Sequence, residues 1–183
     1  MLRVMERLLS VAPLDLFYRQ LRPRNFFFAR EYERALAETE RLRGENPNFV
    51  SYFVGNAYLM LNRQEEAHRE YVAVFELCGE PCSWAQAAME QGWAEGGFEG
   101  SARALIETAA GREGVSPVAT PLVIAALCAT IGETDEAFAW LERGDRDRDP
   151  LMVLLKAHPW FDPMRSDPRF QDLLRRINYP GAS

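Results

Sequence analysis

The sequence predicts an all-α protein. Its helix hairpins stack as a short α-solenoid, with helical segments before them and a capping helix after. Three observations carry this. Apolar residues recur at helical spacing along most of the chain. Four alanines, Ala35, Ala67, Ala102 and Ala137, stand 32, 35 and 35 residues apart in similar surroundings. Pro47, Pro81, Pro117 and Pro150 fall between the hairpins so defined. A period of about 34 residues marks helix–turn–helix repeats, whose units bury their apolar faces only by stacking.

The totals allow such a chain. Its 183 residues are 48% hydrophobic and 26% charged, enough for one substantial core or one short repeat array. A net charge of −6 and a pI near 5.1 argue against binding nucleic acid through phosphates, and against an anionic membrane surface. No run approaches the roughly 20 apolar residues of a membrane span. The three cysteines, Cys78, Cys82 and Cys128, are an odd set for a disulfide framework and predict reduced thiols in a cytoplasmic protein.

Residues 1–24 form the N-terminal helical segment. Glu6 and Arg7 interrupt its apolar part, so Leu2, Met5, Leu8 and Leu9 read as one face of an amphipathic helix, not a signal peptide. Asn25 is placed as the N-cap of a long helix ending near Gly44, with Pro23 interrupting the helix that should precede it; this makes 25–47 a partial repeat. The second repeat, 48–80, is the clearest. Its two helices meet at the turn Leu61-Asn62-Arg63. Gly55, Ala57, Ala67 and Ala73 supply small contacts, and Tyr58, Tyr71 and Phe75 fill the space between. Repeats at 83–114 and 116–149 follow. Four residues beyond each alanine stand Thr39, Tyr71, Ile106 and Leu141. Five before the last three stand Asn62, Gly97 and Gly132, residues suited to a left-handed turn.

Residues 150–183 form the cap. Pro150–Leu155 is a short apolar helix, and Trp160, Phe161 and Met164 form a hydrophobic knot. Asp167 is the N-cap of a last helix that opens on Pro168. Phe170, Leu173, Leu174 and Ile177 make its apolar stripe, with Arg175 and Arg176 near its negative end.

This pattern resembles the tetratricopeptide repeat, TPR. Pro47, Gly55, Asn56, Ala57, Tyr58, Ala67 and Tyr71 match that family's small, aromatic and terminating positions; the third repeat departs from it at Glu90. The tail resembles the closing segment of bacterial TPR proteins often fused to winged-helix or kinase domains, neither of which has its signature here. The resemblance implies a right-handed solenoid whose first helices line a concave groove. Projected onto this chain, the groove positions are Tyr52, Asn56, Leu59 and Met60; then Ala87, Gln91 and Glu95; then Leu122, Ala126 and Ala129. Some relatives use an asparagine like Asn56 to grip a peptide carboxylate. The neighbouring groove residues here are not basic, so no such clamp is expected.

Catalytic parts are scarce. No HExxH, GxSxG or phosphate-binding loop occurs. His68 is expected on an outer face, and His158 to order a turn in the cap. Cys78 and Cys82 have no second pair with which to hold zinc. Asp145, Asp147 and Asp149 lack the glycine and glutamate of a calcium loop and read as a solvated connection. Glu38, Glu40, Glu65, Glu66 and Glu70 are expected outward, paired with arginines. Glu90, Glu95 and Asp135 are the nearest to catalytic carboxylates, and nothing pairs them. The expected function is therefore a non-enzymatic interaction scaffold. It takes a peptide or protein segment in its groove and needs no metal, cofactor, nucleic acid or membrane. The alternative is an assembly element: a homodimer or docking surface formed by Leu2, Met5, Leu8, Leu9, Phe17 and Phe26–Phe28.

Overall fold

The computed structural model describes residues 21–49, 51–112 and 119–177. Every regular element among them is a helix or a 3-10 turn, and no strand occurs. No helix among them is long and apolar enough to cross a membrane. The chain divides into two compact units, one ending at Leu77 and the other beginning at Cys78.

The first unit holds two hairpins. Helix α1 (Arg22–Phe28) turns into α2 (Tyr32–Glu45), and α3 (Tyr52–Met60) turns into α4 (Gln64–Cys78). The long helix expected after Asn25 is thus two helices. Pro23 opens the first rather than interrupting it, since its fixed φ and missing N–H suit an initial turn. Asn25 is an interior residue of α1 and buried. The break falls at Arg30, where φ is +62°. Phe26, Phe27, Ala35 and Ala57 form the core beside it, with Phe28, Tyr32, Leu36 and Phe53 packed around them. Phe26 and Phe27 thus belong to this core, and Phe28 packs against it half-buried.

The second unit begins with a 3-10 turn (Glu80–Cys82) and α5 (Ser83–Ala110). Gly96 and Gly97 break α5 into a hairpin, with φ of −155° and +60°. The halves then pack backbone to backbone. A Cβ on Gly92 would lie 2.6 Å from the Gly100 carbonyl carbon, and one on Gly100 would overlap the Gly92 carbonyl oxygen. Ser101 Oγ donates to the Met89 carbonyl across the same contact at 2.7 Å. Helices α6 (Pro121–Thr130) and α7 (Thr134–Arg146) make the fourth hairpin. Two 3-10 turns (Pro150–Leu154 and Pro159–Met164) and α8 (Pro168–Arg176) complete the unit.

One backbone device ends the first helix of each hairpin. Arg30, Asn62, Gly97 and Gly132 all have positive φ, and each lies five residues before a repeat alanine. At three of them the hydrogen bonds are equivalent. Glu31 N–H donates to Phe26, Arg63 to Tyr58 and Glu133 to Cys128, each at 2.9 Å. The positive-φ residues themselves donate three back, to Phe27, Leu59 and Ala129. This is the Schellman closure of a helix C-terminus, which satisfies carbonyls that would otherwise lack donors. Ala35, Ala67, Ala102 and Ala137 are all 0% exposed. The residues four further on, Thr39, Tyr71, Ile106 and Leu141, are buried as well.

The last helix starts as its sequence indicates. Asp167 accepts from Arg169 N–H at 2.8 Å at the start of α8, and Pro168 holds its first position. Trp160, Phe161, Met164, Phe170, Leu173 and Leu174 are buried. The stretch after Pro150 is a 3-10 turn rather than an α-helix, and it leaves Val153 exposed.

Two glycine substitutions separate two physical causes. Gly132→Ala puts a side chain into open space but in a left-handed conformation, so it should destabilise by about 1 kcal/mol. Gly100→Ala meets backbone that cannot yield and should cost about 3 kcal/mol or more. Urea unfolding of both variants measures the difference.

Candidate functional site

The residues projected onto a groove fall into three environments. Ala87, Gln91 and Glu95 are exposed along one line of α5, with Gln91 Nε2 donating to Glu95 at 3.2 Å. Tyr52, Leu59 and Ala129 are half-buried, and Met60 is 37% exposed. Asn56, Leu122 and Ala126 are buried, so these three do not line an open surface.

Each buried position has a local cause. Asn56 Oδ1 accepts the Tyr71 hydroxyl at 2.6 Å, which turns the asparagine into the α3–α4 contact. That contact is close enough that a Cβ on Gly55 would meet the Tyr71 ring at 2.7 Å. The Tyr52 ring lies 5.2 Å from that of Tyr71. Burial raises both phenols well above their ordinary range, so both stay neutral. Leu122 and Ala126 belong to α6, whose residues from Pro121 to Cys128 are all buried. The 3-10 turn Pro159–Met164 packs on α6 together with α5 and α7.

Several polar residues take structural roles that their spacing did not foretell. Glu38 and Glu70 are buried, not outward-facing. Each lies three residues after a repeat alanine, where the later repeats carry buried Leu105 and Trp140. Their charges are paired: Glu38 with Arg22 at 3.5 Å and with Arg41, and Glu70 with Arg43. Arg43 also donates to the Phe49 carbonyl at 3.1 Å. His68 is buried too, at the position that holds Leu36 and Phe138 in two other repeats.

Asp149 is a buried double cap, not part of a solvated connection. Its two carboxylate oxygens accept from Leu122 N–H and Leu151 N–H, both at 2.9 Å. One side chain thus starts α6 and the 3-10 turn after α7. Asp145 and Asp147 stay nearer the surface, paired with Arg176 and with Arg143 and Arg146.

Cys78 and Cys82 form a disulfide, which their spacing allowed but did not imply; reduced thiols were the expectation. The Gly79–Pro81 turn brings them 5.7 Å apart at Cα, within ordinary bridging distance. The cytoplasmic expectation rested on unpaired cysteines and loses that basis. Cys128 is the free thiol, and burial pushes it up to about 12.

The three carboxylates singled out in the sequence each have a separate neighbour. Glu90 accepts from Gln86, Glu95 from Gln91, and Asp135 pairs with Arg169 at 2.8 Å, all on the surface. A shallow cleft of about 520 Å³ lies between α7 and α8, over Phe138. Its walls carry Arg169 and Arg175, which pair with Asp167 and Asp172. No group of three or more His, Cys, Asp or Glu side chains among the described residues is arranged to hold a metal ion. The N-terminal residues assigned to self-association, Leu2, Met5, Leu8, Leu9 and Phe17, lie outside the described residues.

No family model, curated protein or solved structure matches this chain.

Two outcomes test the polar core. Asp149→Ala removes two caps at once and should destabilise the chain by about 2 kcal/mol in urea unfolding. His158 is buried beside Trp160 and Phe161, and burial lowers its pKa from 6.5 to about 3. Between those values the unfolded chain holds the proton and the folded chain does not. Stability contributed by neutral His158 is therefore full above pH 6.5 and falls as pH drops toward 3. His158→Asn should flatten the urea midpoint's fall across that window relative to wild type; parallel curves would contradict the assignment.

Proposed function

We propose that the chain is a non-catalytic protein-interaction module of TPR-like hairpins, arranged as a short right-handed solenoid with a C-terminal cap. It holds a peptide or partner segment against first helices of its hairpins. The carrying observation is the shared repeat frame: four buried alanines, each five residues after a positive-φ turn. A chain that spends its sequence on repeated hairpins and pairs its surface carboxylates with neighbours is equipped for presentation, not for chemistry. Rigid presentation lowers the ordering cost of binding.

The exposed line Ala87–Gln91–Glu95 is the best-founded part of the surface. A small residue, an amide and a carboxylate suit main-chain and polar contacts with an extended or helical segment. Asn56, Leu122 and Ala126 contribute by packing.

A peptide array on the intact chain supplies ligands for the test. Ala87→Arg and Gln91→Arg should weaken binding by about ten-fold or more, some 1.4 kcal/mol, with the unfolding midpoint unchanged. Glu107→Gln, exposed on the other half of α5, should leave binding as it was. Equal losses from all three variants, or none, would remove this line from the function.

A further inference from the structure

We propose that Cys78–Cys82 is a thiol–disulfide exchange site, opened by attack of a low-molecular-weight thiol such as glutathione on Cys78, with Cys82 leaving as the thiolate. Three features set this direction. The first is access. Cys78 is half-buried at the end of α4, whereas Cys82 is 0% exposed, so Cys78 is the side from which an incoming thiolate approaches.

The second is electrostatic. Cys82 occupies the N-cap of α5, where unsatisfied N–H groups and the helix dipole stabilise negative charge. Cys78 is the last residue of α4, at the end that disfavours it. The helix end favours Cys82 over Cys78 as the leaving thiolate, against the desolvation of its buried position, and exchange follows the leaving group's acidity.

The third is a turn held without help from the bond. Cys82 N–H donates to the Gly79 carbonyl at 2.9 Å, Ser83 Oγ to Glu80 at 2.9 Å, and Trp84 Nε1 to Pro81 at 3.1 Å. These contacts keep the sulfurs close when the bond is open, so it can close again.

The exchange balances. The first thiolate forms a mixed disulfide on Cys78 and expels the Cys82 thiolate. A second thiolate attacks the small-molecule sulfur of that mixed disulfide and releases Cys78 as a thiolate. The two small thiols lose two electrons to the protein bond and leave as their disulfide; their two protons are those that the cysteine thiolates take up. The site spans the start of the second compact unit, beside its junction with Leu77. Opening it frees Gly79, at φ +73°, from the ring that the bond closes.

The test uses the intact, folded chain. Reduced glutathione is added without denaturant, and the reaction is quenched with acid and mapped by mass spectrometry. The expected result is loss of the bond through a glutathione adduct on Cys78, at least about ten-fold over Cys82, with Cys128 unmodified. In a Cys82→Ser variant, glutathione disulfide should leave a lasting adduct on Cys78. In Cys78→Ser it should leave none. The wild-type mapping does not depend on either variant folding. Reduction only after denaturant, an adduct on Cys82, or two free thiols in the air-oxidised chain would each overturn the proposal.

Discussion

The chain reverses direction where one residue takes a positive φ, and most of the structure follows from that reversal. At Arg30, Asn62 and Gly132 the last turn of a helix closes with the same pair of backbone hydrogen bonds. The closure sets the direction of the next helix, and five residues on stands a fully buried alanine. A larger side chain there would have to displace its packed surroundings. Arginine is a costly residue for such a turn, by about 1 kcal/mol against glycine. Burial of Phe26 and Phe27 beside it offsets that cost, at about 2 kcal/mol for each ring.

Within this frame the same position carries different chemistry in different repeats. The residue three beyond the alanine is Glu38, Glu70, Leu105 or Trp140, and all four are buried. The two glutamates are tolerated because Arg22, Arg41 and Arg43 meet them; a buried carboxylate without a partner would be strongly destabilising. The second unit is more apolar and closes on α6 from several sides. Its cap is anchored in the same manner, by Asp149 joining two element starts and by Gly144, where a Cβ would lie 2.9 Å from Met152 Sδ. That closure leaves Leu122 and Ala126 buried.

Much of the helical frame could be read from residue types. Alanine spacing, turn formers at Asn62, Gly97 and Gly132, and the Asp167–Pro168 start all follow from local preferences, and the backbone adopts them. Arg30 escaped because arginine is no turn former. Yet it stands five residues before Ala35, and that offset was the signal. Periodicity also reports which face of its own helix a residue occupies, not what later packs on it. This is why Gln91, Asn56 and Ala126, at one repeat position, are exposed, bonded to Tyr71 and buried respectively. Glu38 and His68 were misplaced for the same reason. The caps of Asp149 and the bridge between Cys78 and Cys82 depend on turn geometry that composition does not encode.

The same positive-φ turn recurs in both compact units, at Arg30, Asn62, Gly97 and Gly132. Backbone chemical shifts of the intact chain test this most directly, because they report φ residue by residue in solution. The account predicts left-handed values at Arg30, Asn62 and Gly132 and a positive φ at Gly97, each between two helical stretches. Continuous helical shifts through Ala29–Glu31, or through Leu61–Arg63, would contradict it.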